Sequence, residues 1–452
     1  MLHPRSPVPL PASLSGVGTE WAGLVGAFLS HASSVPAHMS AVGAVAPASP
    51  AFLALKGMIF LLLGRRELAN DAASLLAEAR ANLSARPCEH DRMLVEALAA
   101  WVAGAPSRAA AICDDIAARF PGDALAVKLA QAIRFLYGDS AGMRRSADAH
   151  IAAFADDHPF AGYAHGLHAF ACEETGDFTL AERAGTRALE LAPDDAWALH
   201  AVAHVHEMRG HAQKGRDWLA PRQDAFSHCS TFRHHVWWHY ALFELELGNI
   251  ERVLALYDQE IRREHTDDYR DIANAVSLLA RLEGENVNVG HRWDELAAIA
   301  ERRIEDGCVV FADLHYLLAL LACGRNEAAD RLIERMSQAG DGSEFGDVAV
   351  RAGATTGTGL AAMKRGHHED AFRRLIAAQC ALTSIGGSHA QRDVFERLTI
   401  DAALRAGHTG DARTLIKARA QRRGAFDRFG FERLVRCGPV PVAAPQPTAA
   451  AF

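Results

Sequence analysis

The chain has 452 residues, half of them apolar, and a formal charge of −8. That length suits two or three ordinary domains or one long repeat array. With an acidic balance and no basic stripe interleaved with aromatics, nucleic acid is not an expected partner, because neutralising phosphates needs clustered cations.

Residues 1–50 are rich in Pro, Ser, Ala and Gly and read as an N-terminal extension, partly disordered, with one helix near Glu20–His31. The opening Met1-Leu-His-Pro-Arg-Ser-Pro lacks the continuous apolar core and cleavage site of a secretory signal. The apolar run Met58–Leu63 is too short for a bilayer span of about 20 residues, so no membrane is expected. The eight cysteines form no CxxC pair and are expected as reduced, mostly buried thiols of a cytoplasmic protein.

Residues 51–160 read as degenerate helical repeats. Gly64, Gly104, Gly138, Gly176, Gly210, Gly248, Gly284, Gly324, Gly366 and Gly407 each follow an apolar, alanine-rich stretch, at intervals clustering in the mid-to-high thirties. Such punctuation marks stacked helical hairpins, with glycine ending the first helix of each pair. Residues 161–264 hold the best-formed units. The first has Gly176-Asp177 at its turn, Ala181 and Ala188 on its second helix, and Pro193 at its end. The next runs from Ala196 to about Gln223, and the third begins near His234 after an inserted loop, Asp224–Thr231. Residues 265–437 are degenerate again, with a long second helix over Arg325–Gln338. Inside them, Arg405–Arg436 carries many arginines and few acids and reads as a solvated helix face. Residues 438–452 are Pro/Ala-rich and read as a disordered tail. Sustained period-two alternation is nearly absent. The expected fold is all-α: a right-handed α-solenoid of tetratricopeptide-like helical hairpins.

Two neighbouring units carry histidines four residues apart. One reads Trp197-Ala-Leu-His200-Ala-Val-Ala-His204-Val-His206-Glu207-Met208; the other reads His234-His235-Val-Trp237-Trp238-His239-Tyr240. Residues i and i+4 share a helix face, so two adjacent helices can aim four imidazoles into one volume. Glu207 is seven residues from His200, a rise of roughly 10 Å at 1.5 Å per residue, so it suits an orienting or base role better than ligation.

These segments, with Leu254–Asp258, Phe311-Ala-Asp-Leu-His315 and Gly386–Phe395, resemble the tetratricopeptide-repeat protein 38 family over roughly Phe52–Leu434. The resemblance implies an α-helical repeat fold and no particular reaction. Three positions depart from the family pattern: Val236 stands where an Asn is usual, Asn274 where an Asp is usual, and Lys56 where a His is usual. By likeness to groove-binding repeats, the first helices line a concavity. That places His200, His204 and Glu207, His235 and His239, Glu173 and Glu174, and Asp313 with His315 toward it.

Three readings of this window remain open. His200, His204, His235 and His239 suit a divalent metal ion such as Zn, Fe or Mn, with Glu207 as a base, which makes the chain a metal-dependent enzyme. Alternatively the groove binds a peptide, a protein or a small molecule without metal. Glu173, Glu174, His315 and Arg392 then serve as polar contacts, and Trp197, Trp237, Trp238 and Tyr240 as an apolar wall. Third, the histidines form a structural polar seam between repeats. The segment Gly386–Asp393 is either an anion site at a helix N-terminus or a loop-to-helix junction. No P-loop, dinucleotide fingerprint or GxSxG elbow is present.

Overall fold

The turn glycines set the architecture. In the computed structural model, which describes residues 9–438, Gly64, Gly104, Gly138, Gly176, Gly210, Gly248, Gly324, Gly366 and Gly407 have φ between +64° and +84°. Each ends the first helix of a hairpin. Glycine reaches this left-handed region without the clash a Cβ would cause. Gly284 is the exception. The helix Tyr269–Gly284 runs through it, and Asn286, at φ +60°, makes the turn two residues later. An amide side chain tolerates that conformation better than most.

Helix follows helix through the whole described chain. Among the described residues the only β feature is an isolated bridge between Ala32 and Cys229. The chain is thus an α-solenoid of tetratricopeptide-like hairpins. Small residues let paired helices approach closely. A Cβ on Gly162 would sit 2.5 Å from the Ala192 Cβ and 2.8 Å from its backbone nitrogen. Ala181 and Ala188 are fully buried on the second helix of that hairpin, Phe178–Leu191. No described helix is long and apolar enough to cross a membrane. All eight cysteines are free, and Cys113, Cys172, Cys229 and Cys437 are buried.

The expectation for the N-terminus fails. The N-terminal segment holds two helices, Gly18–Leu29 and Val35–Val45, rather than one. Pro36 lies in the first turn of the second helix, where its missing N–H costs nothing. Both helices belong to the body of the protein: Trp21, Leu24 and Val42 are buried in the main core. The inserted loop holds them there. The Ser33 N–H donates to His228 O at 3.0 Å, and His228 Nε2 lies 3.0 Å from Ser30 O. The proposed tail lies, beyond Gly438, outside the described residues.

The arginine run is not a solvated face either. Arg405, Arg422 and Arg436 are exposed, but Arg419 and Arg433 are 2% and 1% exposed. Arg419 donates to Asp393 Oδ1 at 2.6 Å and to both Asp427 oxygens at 2.7 Å. Arg433 meets Glu285 at 3.0 Å and Asp401 at 3.1 Å. Most of these acids lie outside the run, so the sequence window that looked unbalanced is balanced in space.

Those pairs close the solenoid on itself. The helices His389–Arg405, Thr409–Arg423 and Arg428–Arg436 turn back onto the middle of the chain. Arg281 Nη2 donates to Ala390 O at 2.8 Å, and Arg423 Nη2 donates to Glu207 O at 3.0 Å. Arg65 pairs with Asp267, and Ser107 N–H donates to Glu344 at 3.0 Å. The hollow expected to be an open groove is therefore largely filled by the protein's own helices.

Candidate functional site

Helix spacing builds a histidine quartet. His200 and His204 lie one turn apart on Ala196–Met208, a helix whose first N–H groups are capped by Asp195. His235 and His239 lie one turn apart on Phe232–Glu246. The two helices are the first of consecutive hairpins and pack together, so both pairs project into one volume. Ring centroids are 4.3 Å apart for His200–His204, 4.4 Å for His204–His239, 4.7 Å for His235–His239 and 4.9 Å for His200–His235. Each ring offers a nitrogen within 4.8 Å of the other three. His200, His204 and His239 are at most 1% exposed.

The outer partners decide which nitrogens point inward as lone pairs. His239 Nδ1 is 3.0 Å from Glu207 Oε2. A carboxylate only accepts, so Nδ1 carries the proton and Nε2 is bare. His235 Nδ1 is 2.9 Å from Asn274 Oδ1, with the same consequence. The Nε2 atoms of these two rings are 3.2 Å apart. Two bare nitrogens cannot hydrogen-bond to each other; they repel unless a cation sits beside them. His200 Nε2 is 3.1 Å from His235 Nε2, while the His200 Nδ1 is buried without a partner. His204 lies 3.3 Å from Glu173 Oε2 through Nδ1, off hydrogen-bond geometry, and neither of its nitrogens has a hydrogen bond within the protein. Burial holds His200 and His239 well below the ordinary imidazole value and His235 at about 4, so these three rings are neutral at pH 7.

A second layer adjoins the quartet. Glu173, fully buried, accepts from His389 Nε2 at 2.7 Å. Glu174 accepts the backbone N–H of His389 at 3.1 Å. Burial opposes charge on His389, but the Glu173 and Glu174 carboxylates outweigh it and raise this ring to about 9. Glu173 is correspondingly lowered: burial pushes it up, and the adjacent His389 charge, first among its partners, more than reverses that. Glu173, Glu174, His204 and His389 also satisfy ligand spacing, sharing His204 with the quartet.

Beside the quartet lies a cavity of about 790 Å³. His200, His235 and Asn274 form part of its wall; so do His31, Lys128, Gln131 and Trp197. Trp197 is fixed by its indole N–H donating to Gln131 Oε1 at 3.1 Å. The remaining sequence-derived candidates sit elsewhere. Trp238, fully buried, stacks behind His235 with ring centroids 5.3 Å apart. Trp237 and Tyr240 pack against each other and Phe226 on another face. None of the three lines the cavity, because one helix cannot turn every aromatic the same way. His315 is buried, its Nδ1 2.7 Å from Phe311 O and its ring against Phe395; it joins neither cluster. Arg392 donates to the Gly386 and Gly387 carbonyls and lies 3.8 Å from Glu174. Together with the Ser388–Gln391 capping box, this makes Gly386–Asp393 a loop-to-helix junction. Glu207 lies behind His239, away from the cavity, and is placed to orient that ring rather than to act on a cavity ligand.

His389, His31 and Lys128 escaped sequence reasoning. His389 lies 216 positions from its partner Glu173, and only closure of the solenoid joins them. His31 ends a short helix in a segment that reads as an extension, and Lys128 reads as one of few lysines on an apolar helix.

No family model matches the chain. Among solved structures it is similar to a human IFIT1 dimer with m7Gppp-AAAA, at 13% identity over 86% of this chain and 90% of that chain, TM-score 0.41. It is also similar to yeast Tom70, at 13% identity over 93% and 85% of the two chains, TM-score 0.34. A third similarity is to Naa15/Naa10 bound to HypK-THB, at 12% identity over 89% and 63%, TM-score 0.25. Likenesses this distant say nothing of function, and the solenoid assignment stands on the helices and turns themselves.

Proposed function

We propose that this protein holds one divalent transition-metal ion on His200, His204, His235 and His239 and presents it to a small molecule in the adjoining cavity, as a metal-dependent enzyme would. The motifs that resemble the tetratricopeptide-repeat protein 38 family are the ones that supply these ligands, so we read the chain as a member of that family. One observation carries the proposal: the bare Nε2 atoms of His235 and His239 face each other at 3.2 Å, with His200 Nε2 3.1 Å from His235 Nε2. Four nitrogens at the usual 2.0–2.1 Å from a tetrahedral ion stand about 3.3 Å apart, close to these separations. Glu207 and Asn274 support the reading, since metal-bound imidazoles commonly donate their other N–H to such groups. A purely structural seam is disfavoured, because it leaves buried ring nitrogens unpaired at about 1–3 kcal/mol each.

Elemental analysis of the purified protein should find about one equivalent of metal, and the His200→Ala/His235→Ala double variant should retain almost none. Wild-type protein that takes up no ion after loading with Zn²⁺, Fe²⁺ or Mn²⁺ removes the proposal. Peptide or protein binding in an open groove is the weaker reading, because His389–Arg405 and its neighbours occupy that space.

A further inference from the structure

The cavity wall is mixed. Met39, Phe52, Ile59, Phe60, Leu63 and Leu75 give much of it an apolar lining. Lys128 also lines it, beside His31 and Trp197. It is 5% exposed, on the helix Ala124–Leu136. Its Nζ lies 2.8 Å from His31 Nε2 and 4.6 Å from the centre of the Trp197 ring. An ammonium has three donors. Among the described residues His31 is its only hydrogen-bond partner, and no carboxylate pairs with it. His31 is itself an unusual residue. It adopts φ +58° and is stacked between Trp197 and Phe232, with centroids 5.3 and 4.5 Å away. A non-glycine residue in that region is uncommon, and its rotation serves to aim the ring at Lys128.

The charge balance of the wall runs against that of the protein. Lys56, Lys128 and Arg270 line the cavity, with Glu78 the only acid. Arg270 is matched by Asp268 at 2.5 and 2.9 Å. Neither Lys56 nor Lys128 has a carboxylate within ion-pair distance among the described residues, although the buried Asp195 attracts Lys128 from further off. In a chain of net charge −8, a cavity wall that sets Lys56 and Lys128 against Glu78 alone favours anions. A volume of about 790 Å³ falls in the usual ligand-pocket range of about 300–1,000 Å³.

We infer that the cavity binds an amphipathic anion, a small molecule with one negatively charged head and an apolar body, with the head on Lys128 beside His200 and His235. The inference deepens the functional reading above and rests on its cavity, while its test is independent of the metal. Because Lys is a compact point charge, the head is selected by its charge rather than by a planar fork geometry.

The test compares three ten-carbon probes, decanoate, decanol and decyltrimethylammonium, by calorimetry on the full-length protein, with metal content measured on the same samples. Decanoate should bind at least tenfold tighter than decanol, and decyltrimethylammonium more weakly than either. Lys128→Met should bring the decanoate-to-decanol ratio close to one. Equal binding of decanoate and decanol, tighter binding of the cation, no binding of any probe, or a ratio that survives in Lys128→Met overturns the inference. The head-group comparison on wild-type protein does not depend on the variant folding. Anion preference in protein that takes up no ion on metal loading sinks the metal reading alone; bound metal without anion preference sinks this one alone.

Discussion

At the scale of single residues, the histidine quartet illustrates how a proton on one ring nitrogen controls the other. Glu207 and Asn274 occupy equivalent places behind His239 and His235, but only Glu207 is charged. A carboxylate raises the basicity of the far nitrogen more than an amide does. Glu207→Gln should therefore weaken metal binding roughly 10–100-fold, and Asn274→Asp should strengthen it about tenfold. Competition against a chelator of known affinity measures both. Unchanged affinity in both variants would mean that the outer groups do not tune the site. The four histidines were legible in sequence because i, i+4 spacing is a local rule. Asn274 was visible only as a departure from a family pattern, and its contact with His235 spans 39 positions. His389 and Lys128 carried no local signal at all, since their chemistry comes from residues that approach only in the folded chain.

At the scale of elements, the hairpins followed from glycine spacing and alanine content, whereas the charged C-terminal helices did not. A helix face rich in arginine is read as solvated when its acids are sought nearby. Here Asp393 comes from the helix before, Asp427 from the cap of the helix after, and Arg419 between them. Although burial pushes Asp393 and Asp427 upward, the adjoining arginines, Arg419 first, hold both below the usual carboxylate range. A depressed carboxyl adds stability that is complete above its unfolded value of about 3.9 and is lost as pH falls toward the folded value. Removing Arg419 breaks its buried pairs with Asp393 and Asp427, which keep only Arg397 at 2.7 and 3.2 Å as a near partner, a loss of up to about 3–5 kcal/mol. Arg419→Met should therefore lower the urea midpoint strongly at pH 7. The gap from wild type should narrow as pH is taken from about 5 to 3. A gap that stays constant over that range would show that Arg419 contributes through packing rather than charge.

At the scale of the whole molecule, closure distinguishes this chain from an open repeat array. In an open solenoid each repeat touches only its neighbours, and stability is nearly a sum of local terms. Here the turn at Gly138 abuts Thr383, and a Cβ at Gly138 would overlap the Thr383 carbonyl oxygen. The turn at Gly366 has the same left-handed backbone, φ +81° against +72°, but open space around it. An alanine at either position carries a conformational cost of about 1–2 kcal/mol. Only at Gly138 does it also push apart segments some 245 positions distant in sequence, which adds about 1–3 kcal/mol of overpacking. Gly138→Ala should therefore lower the thermal midpoint two- to threefold more than Gly366→Ala. Cooperativity is a second readout. If closure couples the two halves, wild type and Gly366→Ala melt in one transition, while Gly138→Ala broadens or splits because the halves no longer unfold together. Equal midpoint shifts for the two variants, with a single sharp transition in both, would mean that the seam holds the halves side by side without coupling them.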